Sequence, residues 1–232
     1  VLDYLLHETP TIPDHMGVFL GTTYRMHSQV NHFISEAIYE GKLGSAPDND
    51  KQVIDVPAGY LAANPEGPLS SAAGIIYLSV EHEGNSQASD EEVAVIAQQS
   101  RQLLGRTFTA KDGIKRAISW SDILFVAPYN HQVNKLREAL VQLPGGNDAQ
   151  IGSVDKFQGQ EAPIVFLSMC ASDANASPRG MDFLFDKHRI NVAVSRAQSL
   201  AVVVASPKLA QSTAGNIRQQ KLVNVFARLV GE

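Results

Sequence analysis

The chain has 232 residues, 44% of them hydrophobic and 19% charged, with a formal net charge of −5. These values exclude a disordered polyelectrolyte, and no window approaches the roughly 18 uninterrupted apolar residues of a membrane helix. They also exclude a broad phosphate-neutralising face, which would make the chain basic, so any nucleic-acid contact must be local, backbone-mediated or shared with another domain.

At about 150 residues per domain, the length suits one large domain or one plus a subdomain. Cys170 is the only cysteine, which rules out an internal disulfide or a cysteine-based zinc site in this chain. It closes the apolar run PIVFLSMC and reads as a buried strand thiol. The seven histidines are scattered, and no metal site is expected. VLDYLLHETP lacks the basic and apolar regions of a signal peptide, so the expected location is cytoplasmic.

Val1 to His7 has helical spacing but begins abruptly, and Pro10 and Pro13 interrupt the pattern beyond it. Residues 1–16 therefore read as a linker or helix from a preceding domain, and residues 17–232 as the domain proper. Gly17 to Gly21 (GVFLG) is a strand candidate. Val30, Phe33, Ile34, Ala37 and Ile38 then mark an amphipathic helix, which puts Tyr24 to His27 on a strand-to-helix turn, where open α/β sheets meet their ligands. Residues 44–71, rich in Pro, Gly, Ser, Asn and Asp, read as a loop insertion.

Gly74 to Val80 is the next strand, and Ser89 or Asp90 caps a helix from about Glu91 to Leu104. Arg106 to Ile118 reads as a basic, flexible link. Asp122 to Ala127 is a strand buried on both faces, followed by a helix to about Gln142. Ala149 to Val154 and Pro163 to Met169 are two further strands. Ser172 to Asp186 is loop-like, Lys187 to Ala197 helical, Leu200 to Ala205 a final buried strand, and Ile217 to Val230 a closing helix. This alternation predicts an α/β fold, a largely parallel sheet with helices on both faces.

Three clusters carry chemistry. In VDKFQGQE, Gly159 permits an unusual backbone angle or a close ligand, beside Gln158, Gln160 and Glu161. A capped, exposed turn would explain the same residues. Arg196 ends an apolar helix and must face an anion, either a phosphate or a structural carboxylate. Arg189 lies seven residues earlier, on a similar face and about 10 Å away. Tyr24-Arg25-Met26-His27 adds another arginine at a turn; one arginine alone is usually solvated, but three such clusters at equivalent edges of one sheet are harder to dismiss.

YRMH (Tyr24 to His27), APYNHQ (Ala127 to Gln132), SVDKFQGQE (Ser153 to Glu161) and NVAVSRA (Asn191 to Ala197) together resemble, in order and spacing, the second motor domain of superfamily 1 helicases. Within them the chain is similar to the 1B branch, which holds the nonsense-mediated-decay RNA helicase and the Okazaki-fragment nuclease-helicase. The resemblance runs from about Gly17 to Lys208 and implies a RecA-like P-loop NTPase fold. It implies that Arg25 and Arg196 reach the γ-phosphate of ATP bound on another domain, as arginine fingers. It implies that Glu161 accepts a hydrogen bond from the ribose, with Gly159 and Gln160 beside it. Pro128, Tyr129 and Gln132, and Ser153, Val154, Asp155 and Lys156, match segments that face single-stranded nucleic acid.

Ser28 stands where the family often has proline. The chain has no GxxxxGK[ST], and GKL at Gly41 to Leu43 is no substitute; in the family, that motif and the acidic metal-binding box lie on the first motor domain. The resemblance therefore implies a partner RecA-like domain N-terminal in the same polypeptide, which would supply the main pocket and the metal ligands for ATP with Mg2+. The expected function is the C-terminal motor domain of an ATP-dependent 5′-to-3′ helicase acting on single strands, DNA favoured over RNA, inactive alone, with no membrane partner. An RNA helicase of the same branch and a non-catalytic RecA-like binding module are the alternatives. A nuclease lacks its carboxylate constellation, since Asp173, Asp182 and Asp186 are loop residues without strand-anchored partners.

Overall fold

A computed structural model describes residues 11–13, 15–63 and 69–231; the helical pattern expected over Val1 to His7 lies outside them. In chain order the elements are β1 (Thr22–Thr23), α1 (Ser28–Ile38), β2 (Gly44–Ser45), β3 (Val53–Ile54), α2 (Ala58–Ala63), β4 (Gly74–Ser79), α3 (Asp90–Leu103), β5 (Thr107–Thr109) and β6 (Lys115–Ala117). Beyond these lie β7 (Ile123–Val126), α4 (Asn130–Val141), β8 (Gln150–Gly152), β9 (Ala162–Ser168), α5 (Gly180–Leu184), α6 (Lys187–Val194), β10 (Ala197–Ala205) and α7 (Ile217–Gly231).

Five parallel strands form the central sheet in the order β4-β10-β9-β7-β8. Their runs are continuously apolar because both faces are covered. Ile123, Phe125, Ile164, Phe166, Leu200 and Val202 pack on one face under Val93 and Ile96 of α3 and Val133 and Leu136 of α4. Leu124, Val126, Val165, Leu167, Ala201 and Val203 pack on the other under Val30 and Phe33 of α1, Ile190 and Val194 of α6, and Phe226 of α7. Each large side chain so buried contributes about 1.5–3 kcal/mol. The expected doubly covered parallel sheet is the fold found.

The local differences have physical causes. Gly17 to Gly21 is not a strand: Val18 and Leu20 are 85% and 82% exposed, and the strand at this place is the two-residue β1, paired to β2 outside the central sheet. The segment over residues 44–71, expected as a loop, contains β2, β3, α2 and a 3-10 turn at Pro47–Lys51. Its elements are too short to register as periodicity. Arg106 to Ile118 is a hairpin rather than a flexible link: β5 pairs with β6 and with β3 in an antiparallel sheet, pinned by Phe108, which is 1% exposed. The loop-like stretch before Asp186 holds the short α5. Helix α6 stops at Val194, and Ala197 already pairs with Ala162.

The connection from β8 to β9 positions the site. Gly152 pairs with Val126, which pairs with Leu167, whereas β9 begins at Ala162. Residues 153–161 must therefore run back along about five strand residues, roughly 17 Å, from the carboxyl edge of the sheet to its amino edge. They do so through a 3-10 turn, Val154–Phe157, anchored by the buried Val154 and Phe157.

Candidate functional site

At the amino edge of β9 and β10, Arg25, Glu161 and Arg196 come together. Glu161 immediately precedes β9 and Arg196 immediately precedes β10, and the Ala162 N–H donates to the Arg196 carbonyl at 3.0 Å. Arg25 donates through Nε to Glu161 Oε2 at 2.6 Å and through Nη1 to the Ser195 carbonyl at 3.3 Å. Arg196 donates through Nε to the Val192 carbonyl at 3.1 Å and through Nη1 to the Gln160 carbonyl at 3.2 Å. Gln198 Nε2 donates to the second Glu161 oxygen at 2.9 Å. Gly159, on the approach to Glu161, has φ +85, a left-handed backbone that favours glycine, and open space where a Cβ would lie.

The turn carrying Arg25 is held by its backbone. The His27 N–H donates to the Gln198 carbonyl at 2.8 Å, Gln52 Nε2 donates to the Arg25 carbonyl at 2.6 Å, and Asn49 Nδ2 donates to the Thr23 and Met26 carbonyls at 2.9 and 3.1 Å. His27 caps α1 by accepting the Gln29 N–H at Nδ1; burial lowers its pKa, against the opposing effect of Asp50. The expectation that this turn lies where the main-sheet strands deliver their ligands is corrected here. Its strand, β1, is outside that sheet, and the turn meets the amino edge because Gln198, in the irregular start of β10, draws it there.

Electrostatics bind the group together. Burial pushes the Glu161 carboxyl upward, but hydrogen bonds from Arg25 and Gln198 and the charges of Arg25 and Lys111 outweigh it and hold the pKa below its ordinary value. For Arg196, burial and then the neighbouring Arg25 charge lower the guanidinium pKa, while Glu161 opposes them. Two partly exposed guanidiniums thus stand at an open edge, one paired with Glu161 and the other held by the Val192 and Gln160 carbonyls, an arrangement that suits a ligand with several anionic oxygens.

The other predicted residues gather at the carboxyl edge. Pro128 is half-buried where β7 ends, and Asp155 and Lys156 are exposed beyond β8. Lys156 Nζ donates to the Ile151 carbonyl at 2.8 Å, and Asp155 pairs with Arg189 at 3.3 Å. Tyr129 is 7% exposed, with its hydroxyl bonded to Ser177 and its ring 5.4 Å from Phe183. Gln132 is 0% exposed: its Oε1 accepts from the Ser89 N–H at 2.9 Å, and its Nε2 donates to Ser168 Oγ at 2.8 Å. The Tyr129 and Gln132 side chains therefore lie behind the surface rather than on it. Arg189 does not join Arg196; it stands 4.6 Å over the Phe183 ring.

A family model described as AAA domain matches residues 3–208. The chain is 30% identical over 190 residues to DNA-binding protein SMUBP-2 of Rattus norvegicus, covering 80% of this chain and 18% of that protein. It is 27% identical over 202 residues to DNA polymerase alpha-associated DNA helicase A of Saccharomyces cerevisiae, covering 84% and 28%. With the Regulator of nonsense transcripts 1 homolog of Neurospora crassa it shares 29% over 198 residues, covering 82% and 17%. The chain belongs to the AAA domain family, within the 1B branch of superfamily 1 helicases. This helicase-family domain spans between 17% and 28% of the length of those three relatives.

Sequence reasoning missed Gln198, Gln52 and Asn49. Gln198 comes directly after the Ser195-Arg196-Ala197 motif, but its role depends on the strand irregularity that turns its amide onto Glu161. Gln52 and Asn49 sit in the segment taken for a loop. Among the described residues, no group of three or more His, Cys, Asp or Glu side chains is placed to hold a metal ion, and no helix is long and apolar enough to cross a membrane.

Proposed function

We propose that this domain is the C-terminal RecA-like motor domain of an ATP-dependent 5′-to-3′ DNA helicase. It completes an ATP site whose main pocket lies on an N-terminal RecA-like domain of the same polypeptide. The observation that carries the reading is the convergence of Arg25, Glu161 and Arg196, distant in sequence, on one open edge with Arg25 Nε 2.6 Å from Glu161. In this reading Arg25 and Arg196 meet the γ-phosphate, where charge on the equatorial oxygens grows toward the transition state. Glu161, with Gly159 and Gln160 shaping the approach, accepts from the ribose hydroxyl. No acidic cluster among the described residues is placed to hold Mg2+, so in this reading the ion's ligands belong to the N-terminal domain.

Single-stranded nucleic acid would run along the carboxyl edge, over Pro128, the Ser153 and Val154 backbone, Asp155 and Lys156, with Tyr129 and Gln132 fixing that surface from behind. Contact through a few backbone groups and one lysine agrees with a net charge of −5.

The test is Arg196→Ala in the full-length protein. Strand-stimulated ATP turnover should fall by about 10³-fold or more, with the fold retained; turnover within twofold of wild type would refute the finger assignment. Unwinding of DNA and RNA duplexes with 5′ or 3′ tails then decides substrate and direction. The isolated domain should hydrolyse ATP negligibly.

A further inference from the structure

Arg25 is anchored by groups of its own domain. An arginine has five N–H donors. In Arg25 the Nε–H goes to Glu161 Oε2 at 2.6 Å and one Nη1–H to the Ser195 carbonyl at 3.3 Å, which leaves three donors for an incoming anion. Glu161 in turn takes Gln198 Nε2 on its other oxygen at 2.9 Å. A carboxylate offers about four lone-pair directions, so with two occupied it can still accept a ribose hydroxyl. Gln198 is itself fixed: its carbonyl accepts the His27 N–H at 2.8 Å, so the strand that orients Glu161 also carries the turn that bears Arg25. At Arg196 the Glu161 charge also opposes the effect of the neighbouring Arg25 charge.

We propose that Glu161 and Gln198 are positioning residues for Arg25: Glu161 holds the guanidinium by its root so that its outer N–H groups face the γ-phosphate, and Gln198 holds Glu161. Ribose recognition and finger alignment then share one carboxylate. This rests on the reading of Arg25 as a γ-phosphate contact.

A ribose-only Glu161 and a finger-positioning Glu161 differ in kinetics. Without positioning, Glu161→Gln raises KM for ATP and alters the preference for ATP over 2′-deoxy-ATP while kcat holds. With positioning, kcat falls, because a displaced guanidinium is lost where transition-state charge develops.

The experiment measures strand-stimulated kcat and KM, with ATP and 2′-deoxy-ATP, for full-length wild type, Arg25→Ala, Glu161→Gln, Gln198→Ala and the double variant Arg25→Ala/Glu161→Gln. Loss of one charge-assisted hydrogen bond predicts a fall in kcat of about 10- to 100-fold for Glu161→Gln. Gln198→Ala should lower kcat by about threefold to tenfold, with KM and the ATP to 2′-deoxy-ATP ratio within twofold of wild type. In the Arg25→Ala background, Glu161→Gln should cost nothing further in kcat, because its effect acts through Arg25.

If Arg25→Ala keeps wild-type kcat, the nucleotide reading fails, and the inference with it. If Arg25→Ala is inactive but Glu161→Gln and Gln198→Ala both keep kcat within twofold, the reading stands and the inference is overturned. Additive losses in the double variant overturn it as well. Should Glu161→Gln fail to fold, Gln198→Ala with its kcat and KM split decides alone.

Discussion

Gln132 separates a surface role from a structural one. Its side chain is fully enclosed, accepting the Ser89 N–H at 2.9 Å and donating to Ser168 Oγ at 2.8 Å and, at 3.3 Å, to the Ser89 carbonyl. Gln132→Ala orphans the Ser89 N–H inside the protein, at about 1–3 kcal/mol. The Ser89 carbonyl keeps the Val93 N–H and Ser168 keeps Glu92, so those losses are smaller, and the removed methylene adds about 0.8 kcal/mol. The expected destabilisation is about 2–4 kcal/mol, a large part of a typical domain's 5–15. Urea denaturation should show it as a lower midpoint at unchanged m-value. Single-strand affinity, measured where the variant remains folded, should stay within about twofold, since the amide does not reach the surface. A destabilisation below about 0.5 kcal/mol combined with a tenfold loss of affinity would refute this reasoning and return Gln132 to the nucleic-acid surface.

Three other outcomes are expected on structural grounds. Gly146→Ala would place a Cβ 1.8 Å from the Leu140 carbonyl oxygen, so the end of α4 must shift, lowering stability by about 3 kcal/mol in the same urea assay; a neutral variant would contradict that backbone geometry. Burial pushes the Cys170 thiol well above its ordinary value, so a thiol reagent should label it only on unfolding, and rapid native labelling would show that the sheet end is open. For Glu161 the folded pKa lies below the unfolded one, so its contribution to stability is present above the ordinary value of 4.5 and is lost as pH falls through the folded pKa. A carboxyl chemical shift should titrate below 4.5 in wild type and move upward in Arg25→Ala; a wild-type midpoint at or above 4.5 would contradict the ion pair.

The sheet was legible because apolar runs such as Ile123 to Val126 and Leu200 to Ala205 leave no polar face to solvent, which in an α/β alternation means helices on both sides. Arg25, Glu161 and Arg196 stood out by motif, and their convergence is explained once the two parallel strands behind Glu161 and Arg196 are neighbours. Two-residue strands such as β1 and β2 carry too few residues for any period to show. The orientation of Gln132 was also hidden: a glutamine in the first turn of a helix has the same sequence appearance whether it faces solvent or the buried Ser89 and Ser168. Gln198 was missed for a related reason, because only a register shift in β10 brings its amide to Glu161.

Two struts join the edges of the sheet on which the proposed ligands lie. One is the nine-residue crossover from Ser153 to Glu161; the other is α6, eight residues and about 12 Å long, running in the same sense. The Arg189–Asp155 pair at 3.3 Å ties them near the carboxyl edge. At the amino edge, the Val192 and Gln160 carbonyls both accept from Arg196, and the Ser195 carbonyl accepts from Arg25. Each guanidinium is therefore held by carbonyls or carboxylates belonging to these two struts, and none of its partners belongs to a free loop. Under the proposed function, a strand over Ser153 to Lys156 would act on a crossover whose 3-10 turn is anchored by the buried Val154 and Phe157, ahead of Gln160 and Glu161. In that same reading, such a contiguous path would let strand binding and the position of the guanidiniums bias one another.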